Sequence, residues 1–181
     1  MKRLFTALPA VLLLLMVLCL PVTYAEAPDA SLPETSPPAL SQEKLTEIFT
    51  TFSEINTKLE GSMNNAQKIM DDYESGFLTP GAAINSIVKL NEEILETRNN
   101  VFTLKCTGKY EEDRVQFIRT YNLLDQSLKD MKIAAGLRNR SYYTKARQEL
   151  QDTIQFKSLI WKQLLDDLQN DGYIPAKPEA K

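Results

Sequence analysis

The chain has 181 residues, with 21 basic and 24 acidic side chains, two cysteines and no histidine. The missing imidazole removes the commonest general base and the commonest transition-metal ligand, so no cofactor or metal is expected and catalysis is not. A mildly acidic charge of interspersed sign gives no electrostatic footprint for nucleic acid.

The first element is a leader. Lys2 and Arg3 precede an uncharged apolar stretch from Leu4 to Ala25, which is interrupted by Pro9 and Pro21 and ends on Thr23-Tyr24-Ala25. This is the layout of a secretory signal peptide over residues 1–25, cleaved to leave Glu26, and it implies a periplasmic or secreted protein. If the stretch stays uncleaved it is long enough to anchor the chain in a membrane, although its prolines argue against a clean spanning helix. Lipid modification at Cys19 is a weaker reading, because small residues do not flank it. Cleavage removes Lys2, Arg3 and Cys19 and no acid, leaving 19 bases against 24 acids.

Residues 26–40, EAPDASLPETSPPAL, space Pro28, Pro33, Pro37 and Pro38 among small and polar residues. This composition reads as an extended tether rather than a packed unit. From Ser41 onward the apolar residues settle into helical spacing, and residues 41–172 read as one all-α domain, an antiparallel up-down-up-down four-helix bundle with coiled-coil-like packing. Residues 173–181 read as a C-terminal tail.

Ser41 is placed to cap the first helix, with Leu40 and Leu45 as a hydrophobic staple. Its seam runs through Ile48, Phe52, Ile55, Leu59, Met63, Ala66, Met70, Tyr73 and Phe77, with one extra residue inserted near Gly61. Gly76 suits a left-handed terminus, and Thr79-Pro80 opens the second helix, whose inward side is expected to hold Ile84, Ile87, Val88, Ile94, Leu95, Val101 and Phe102. The third helix starts near Tyr110, faces inward with Val115, Ile118, Tyr121, Leu124, Leu128, Met131 and Ala135, and closes at Gly136. Ser141 is expected to cap the fourth, which turns Tyr143, Ala146, Leu150, Ile154, Trp161, Leu164 and Leu168 inward.

Charge supports this connectivity. The first helix ends on Asp71, Asp72 and Glu74, against its own dipole, while the fourth begins among Arg138, Arg140, Lys145 and Arg147. An up-down bundle brings those ends together, and at the other pole it brings Lys105 and Lys109 to Asp166, Asp167 and Asp171. The carboxylate clusters around Asp72 and around Glu92, Glu93 and Glu96 lack the spacing of a calcium loop and read as solvated helix faces.

Among the aromatics, Tyr121, Tyr143 and Trp161 fit the core, whereas Phe117 and Phe156 fall outside the inward stripe and, with Tyr142, are candidates for an exposed contact patch. Cys106 lies in the turn LKCTGKY between Lys105 and Lys109. Flanking ammonium groups and a following helix N-terminus would lower its pKa and make it reactive, permitting a disulfide-linked homodimer; the alternative is a small apolar residue tucked under the turn. The candidate contact residues are therefore Cys106, Lys105, Lys109, Phe117, Phe156 and Tyr142. They point to a non-enzymatic exported bundle that works through a protein partner, with a homodimer through Cys106 or helix swapping as one form. The second reading is an apolar small molecule held between the helices near Tyr121, Trp161 and Gly61.

Overall fold

The structure is a computed structural model and describes residues 40–175. The expected signal peptide, the tether up to residue 39 and the last six residues lie outside that range. The described residues form α1 (Gln42–Glu74), α2 (Pro80–Phe102), α3 (Lys109–Leu137) and α4 (Arg140–Asn170), with no strand among them. Each helix packs against the next and α4 returns against α1, which is the antiparallel up-down-up-down bundle that the sequence predicts. One end, the proximal pole, holds the start of α1, the end of α2, the start of α3 and the end of α4. The other end is the distal pole.

The termini follow the expected chemistry with three differences. The Ser41 hydroxyl accepts from the Lys44 amide and the Thr79 hydroxyl from the Ala82 amide, and Gly76 takes a positive φ of 80°. At the α3–α4 corner, however, Gly136 remains helical, because α3 continues to Leu137, and the left-handed turn falls on Arg138 at φ 51°. The cap of α4 is Asn139 rather than Ser141, since its side-chain oxygen accepts from the amides of Ser141 and Tyr142. Packing also continues past the end of α4 and beyond residue 172: Tyr173 stacks on Phe49 with ring centroids 5.1 Å apart.

In α1 the buried positions are Leu45, Phe52, Ile55, Leu59, Met63, Ala66 and Met70. Two consecutive steps of four at Ile55, Leu59 and Met63 are the predicted extra residue beside Gly61. In α2, Ile87, Ile94 and Val101 are buried, but Val88 and Phe102 face solvent; the true seam uses Ala83 and Leu90. The Arg114 guanidinium lies 5.7 Å from the Phe102 ring and covers one face of it.

The main departure is α3. Its buried line is Tyr110, Asp113, Phe117, Thr120, Leu124, Ser127, Met131 and Ala134, a regular alternation of three and four with polar residues at three positions. Tyr121, Leu128 and Ala135 are buried beside it, because α3 packs against α1 as well as α2 and α4. Val115 is on the outside and Ile118 is half-buried. The polar members permit close approach of α3 and α4: the Ser127 hydroxyl donates to the Ala146 carbonyl at 2.8 Å. α4 has a similar polar insertion. Its seam passes from Thr153 to Lys157, whose ammonium reaches Glu60 of α1 at 3.3 Å.

Candidate functional site

The sequence-predicted contact residues do not form one site. Phe117 is fully buried and packs on Phe52 with ring centroids 5.4 Å apart, which corrects its reading as an exposed residue. Phe156 is half-buried midway along α4, where the Arg119 guanidinium sits 5.1 Å from its ring. Cys106, Lys105 and Lys109 lie at the proximal pole, and Tyr142 lies at the distal pole.

At the proximal pole, Lys109 is drawn away from the thiol. Its Nζ is 2.8 Å from Asp171 and 3.5 Å from Asp167, closing α3 onto the end of α4. Burial works against its charge, and the hydrogen bond and field of Asp171 override that, leaving its pKa above the usual value. The Tyr110 hydroxyl donates to the same Asp171 at 2.7 Å; these two donors hold the Asp171 carboxyl below the usual carboxylate range. Lys105 is exposed and has no ion-pair partner among the described residues.

Cys106 is half-buried, packs with Leu104 against the core and is a free thiol. Burial pushes its pKa up and Glu111 pushes it further, so the expected activation is reversed. The reason lies in the fold: Lys109 is committed to α4, and Arg114, the nearer cation, is already paired with Glu111. Cys106 helps line a cavity of about 370 Å³ whose apolar wall is Ile48, Phe52, Leu104 and Tyr110.

One proximal carboxyl was not anticipated as special. Asp113 is fully buried, neither oxygen has a hydrogen-bond partner, and burial with Asp167 nearby raises its pKa to about 6. The sequence signal was its place in the seam, three residues after Tyr110 and four before Phe117.

The distal pole has a different character. Arg147 bridges from α4 to α1, with its guanidinium 2.5 Å from Glu74 and 2.9 Å from Asp71. The Tyr143 hydroxyl donates to the same Glu74 oxygen at 2.8 Å, and burial with that bond pushes it up to about 12. Beside this bridge is a pocket of about 450 Å³ lined by Tyr73, Pro80, Ala134, Arg138, Arg140 and Tyr143, among others. Arg138 and Arg140 are exposed and form no ion pair among the described residues. Phe77, expected on the α1 seam, is instead 85% exposed, because α1 ends at Glu74 and the turn at Gly76 carries it off the helix; Leu137 is 67% exposed, and Tyr142 on the same pole is also exposed.

The Tyr121 region is filled. Its side chain is fully buried, its hydroxyl donates to the Ile55 carbonyl at 3.4 Å, and Trp161 packs on Phe49 with the rings tilted by 38°. Among the described residues no group of three or more histidine, cysteine or acidic side chains is placed to hold a metal, and no helix is long and apolar enough to cross a membrane. A scan of protein-family profiles and searches of curated proteins and of solved structures found no match to this chain.

Proposed function

We propose that the chain is an exported, non-enzymatic helical-bundle protein that works through protein contacts, with the distal pole as its contact surface. The observation that carries this reading is the joint exposure of Phe77, Leu137 and Tyr142 around a pocket with two unpaired arginines. Large apolar side chains next to unpaired guanidinium groups are the composition of interface anchors; Phe102 and Ile174 are exposed at the proximal pole too, but the Arg114 guanidinium over Phe102 is already paired with Glu111.

A photo-activatable side chain in place of Leu137 in the native host tests it. A discrete protein adduct is expected there and not from the same group in place of Leu159, an exposed residue midway along α4. Equal adducts from both positions, or none from Leu137, would contradict it.

A second reading is favoured by the proximal cavity. Its apolar wall of Ile48, Phe52, Leu104 and Tyr110 suits a small apolar molecule, at a place other than the Tyr121 region suggested by the sequence. Native mass spectrometry of protein from its own source distinguishes the two, because a clean apo mass removes this second reading.

A further inference from the structure

The two poles carry opposite charge. Residues 66–75, 80–89 and 129–149, which make the distal pole, hold eight basic and five acidic side chains; residues 41–50, 100–114 and 162–171, which make the proximal pole, hold five basic and eight acidic. The acidic side chains of residues 26–34, Glu26, Asp29 and Glu34, precede α1, and there is no basic residue anywhere from 26 to 43. The acidic segment is therefore attached at the acidic end of the bundle, where like charge repels it.

We propose that residues 26–34 of one molecule dock in the distal pocket of a second copy, joining bundles head to tail. This rests on the reading of the distal pole as a contact surface and names its partner as the chain itself. Three observations carry it.

The first is charge. Arg138 and Arg140 at the pocket have no ion-pair partner within the described bundle, and the one acid in its lining, Glu74, is held by Arg147, while the acids of residues 26–34 have no base near them in sequence.

The second is shape. The pocket wall is the Tyr73 and Tyr143 rings, 6.2 Å apart between centroids, with Pro80 and Ala134. Proline-rich strands in the polyproline conformation dock on aromatic-lined grooves at little entropic cost. Leu32-Pro33-Glu34 places an apolar residue and a proline directly beside a carboxylate.

The third is reach. α1 spans 33 residues, about 50 Å. Leu32, which opens the Leu32-Pro33-Glu34 anchor, is 8 residues before Leu40 and extends no more than about 29 Å from it. That reach is shorter than α1, so the pocket within range of the anchor is the one on a neighbour. Such a contact joins unlike surfaces, so it propagates rather than closing on itself as a two-fold dimer does.

Charge reversal tests this in the full exported chain. Sedimentation velocity of the wild type across about 10 to 500 µM is expected to show a sedimentation coefficient that rises with concentration and falls back as salt is raised from about 0.05 to 0.3 M. Arg138→Glu with Arg140→Glu reverses the pocket; Glu26→Lys, Asp29→Lys and Glu34→Lys together reverse the segment. Each variant alone is expected to associate at least about tenfold more weakly. An equimolar mixture of the two is expected to associate again, because each restores the complement that the other lacks.

Both pocket positions are exposed; glutamate at 140 suits the first turn of α4, whereas at 138 it stands against the C-terminal dipole of α3, and an unchanged circular dichroism spectrum shows that the fold is retained. A wild type that stays monomeric at low salt, reversed variants that associate as the wild type does, or a mixture that stays monomeric would each overturn the proposal. If the wild type is monomeric while the Leu137 cross-linker captures a different protein, this inference falls and the reading of the distal pole as a contact surface stands.

Discussion

The Ser127 hydroxyl on α3 donates to the Ala146 carbonyl on α4 across a distance of 2.8 Å, in a fully buried part of the seam. A serine and an alanine facing each other let the two backbones approach closely, and the carbonyl is a second acceptor site beyond its own helical bond. Ser127→Ala is expected to lower stability by about 0.5 to 1.5 kcal/mol, the usual net worth of one such bond. Ser127→Leu must push the helices apart and is expected to cost more, on the order of 1 to 3 kcal/mol. Urea denaturation of the two variants checks the order; a leucine variant as stable as wild type would show that α3 and α4 are not packed this closely.

Asp113 makes a prediction about pH. Its carboxyl is fully buried, faces Asp167 of α4 as well as Glu112 and Lys109 of its own helix, and has a folded pKa of about 6 against an ordinary 3.8. The folded state therefore holds this proton more tightly than the unfolded state, so the cost of ionising it appears as pH rises from about 4 to 6 and is fully present at pH 7. Asp113→Asn is expected to be about 1 to 3 kcal/mol more stable than wild type at pH 7, with the difference vanishing below about pH 4. Asp171 works in the opposite direction: its lowered pKa contributes stability that is lost on acidification, so the comparison of the two proteins isolates Asp113. A difference independent of pH would contradict it.

The distal bridge of Arg147 to Glu74 and Asp71 joins the first and last helices, yet all three side chains are partly in water. A double-mutant cycle on Arg147 and Glu74 is expected to give a coupling of about 1 kcal/mol or less, shrinking in salt. Its larger contribution is to which helix ends meet, because a swapped arrangement would leave Asp71 and Glu74 at a helix C-terminus without a cation.

For Cys106 the expected outcome is low reactivity. Its thiol is half-buried and its pKa is raised by burial and by Glu111, so at neutral pH little thiolate forms. A disulfide reagent should react with the native protein more slowly than with a small free thiol, and the intact mass of protein from its native host should not change with reductant. A reducible adduct or a doubled mass would restore the disulfide-linked dimer.

Much of the bundle was legible because α1 obeys simple rules: a serine cap, a seam of large apolar residues and a glycine at its end. The pairing of its acidic end with the basic start of α4 was legible for the same reason, since unlike charges at helix ends follow from connectivity. Phe117 was misplaced because its seam is occupied by Asp113, Thr120 and Ser127; a pattern search reads those as surface and shifts the stripe toward Val115 and Ile118. The environment of Cys106 was not legible either. Lys109 is three residues away in sequence, but its partner Asp171 lies at the far end of the chain, and only the folded bundle draws the ammonium there. The distal contact surface was visible only in part: Tyr142 was singled out, whereas Arg138 and Arg140 were read as a charge match for α1, a role that Arg147 takes.

Hydroxyl-radical footprinting, comparing the purified chain with the same chain in its native compartment, tests the distal pole most directly as the contact surface. Oxidation of Phe77, Leu137 and Tyr142 is predicted to fall in the native setting while Leu159 and Leu123 stay as reactive as in the purified protein. Unchanged oxidation at all three, or protection confined to other faces of the bundle, would contradict the account.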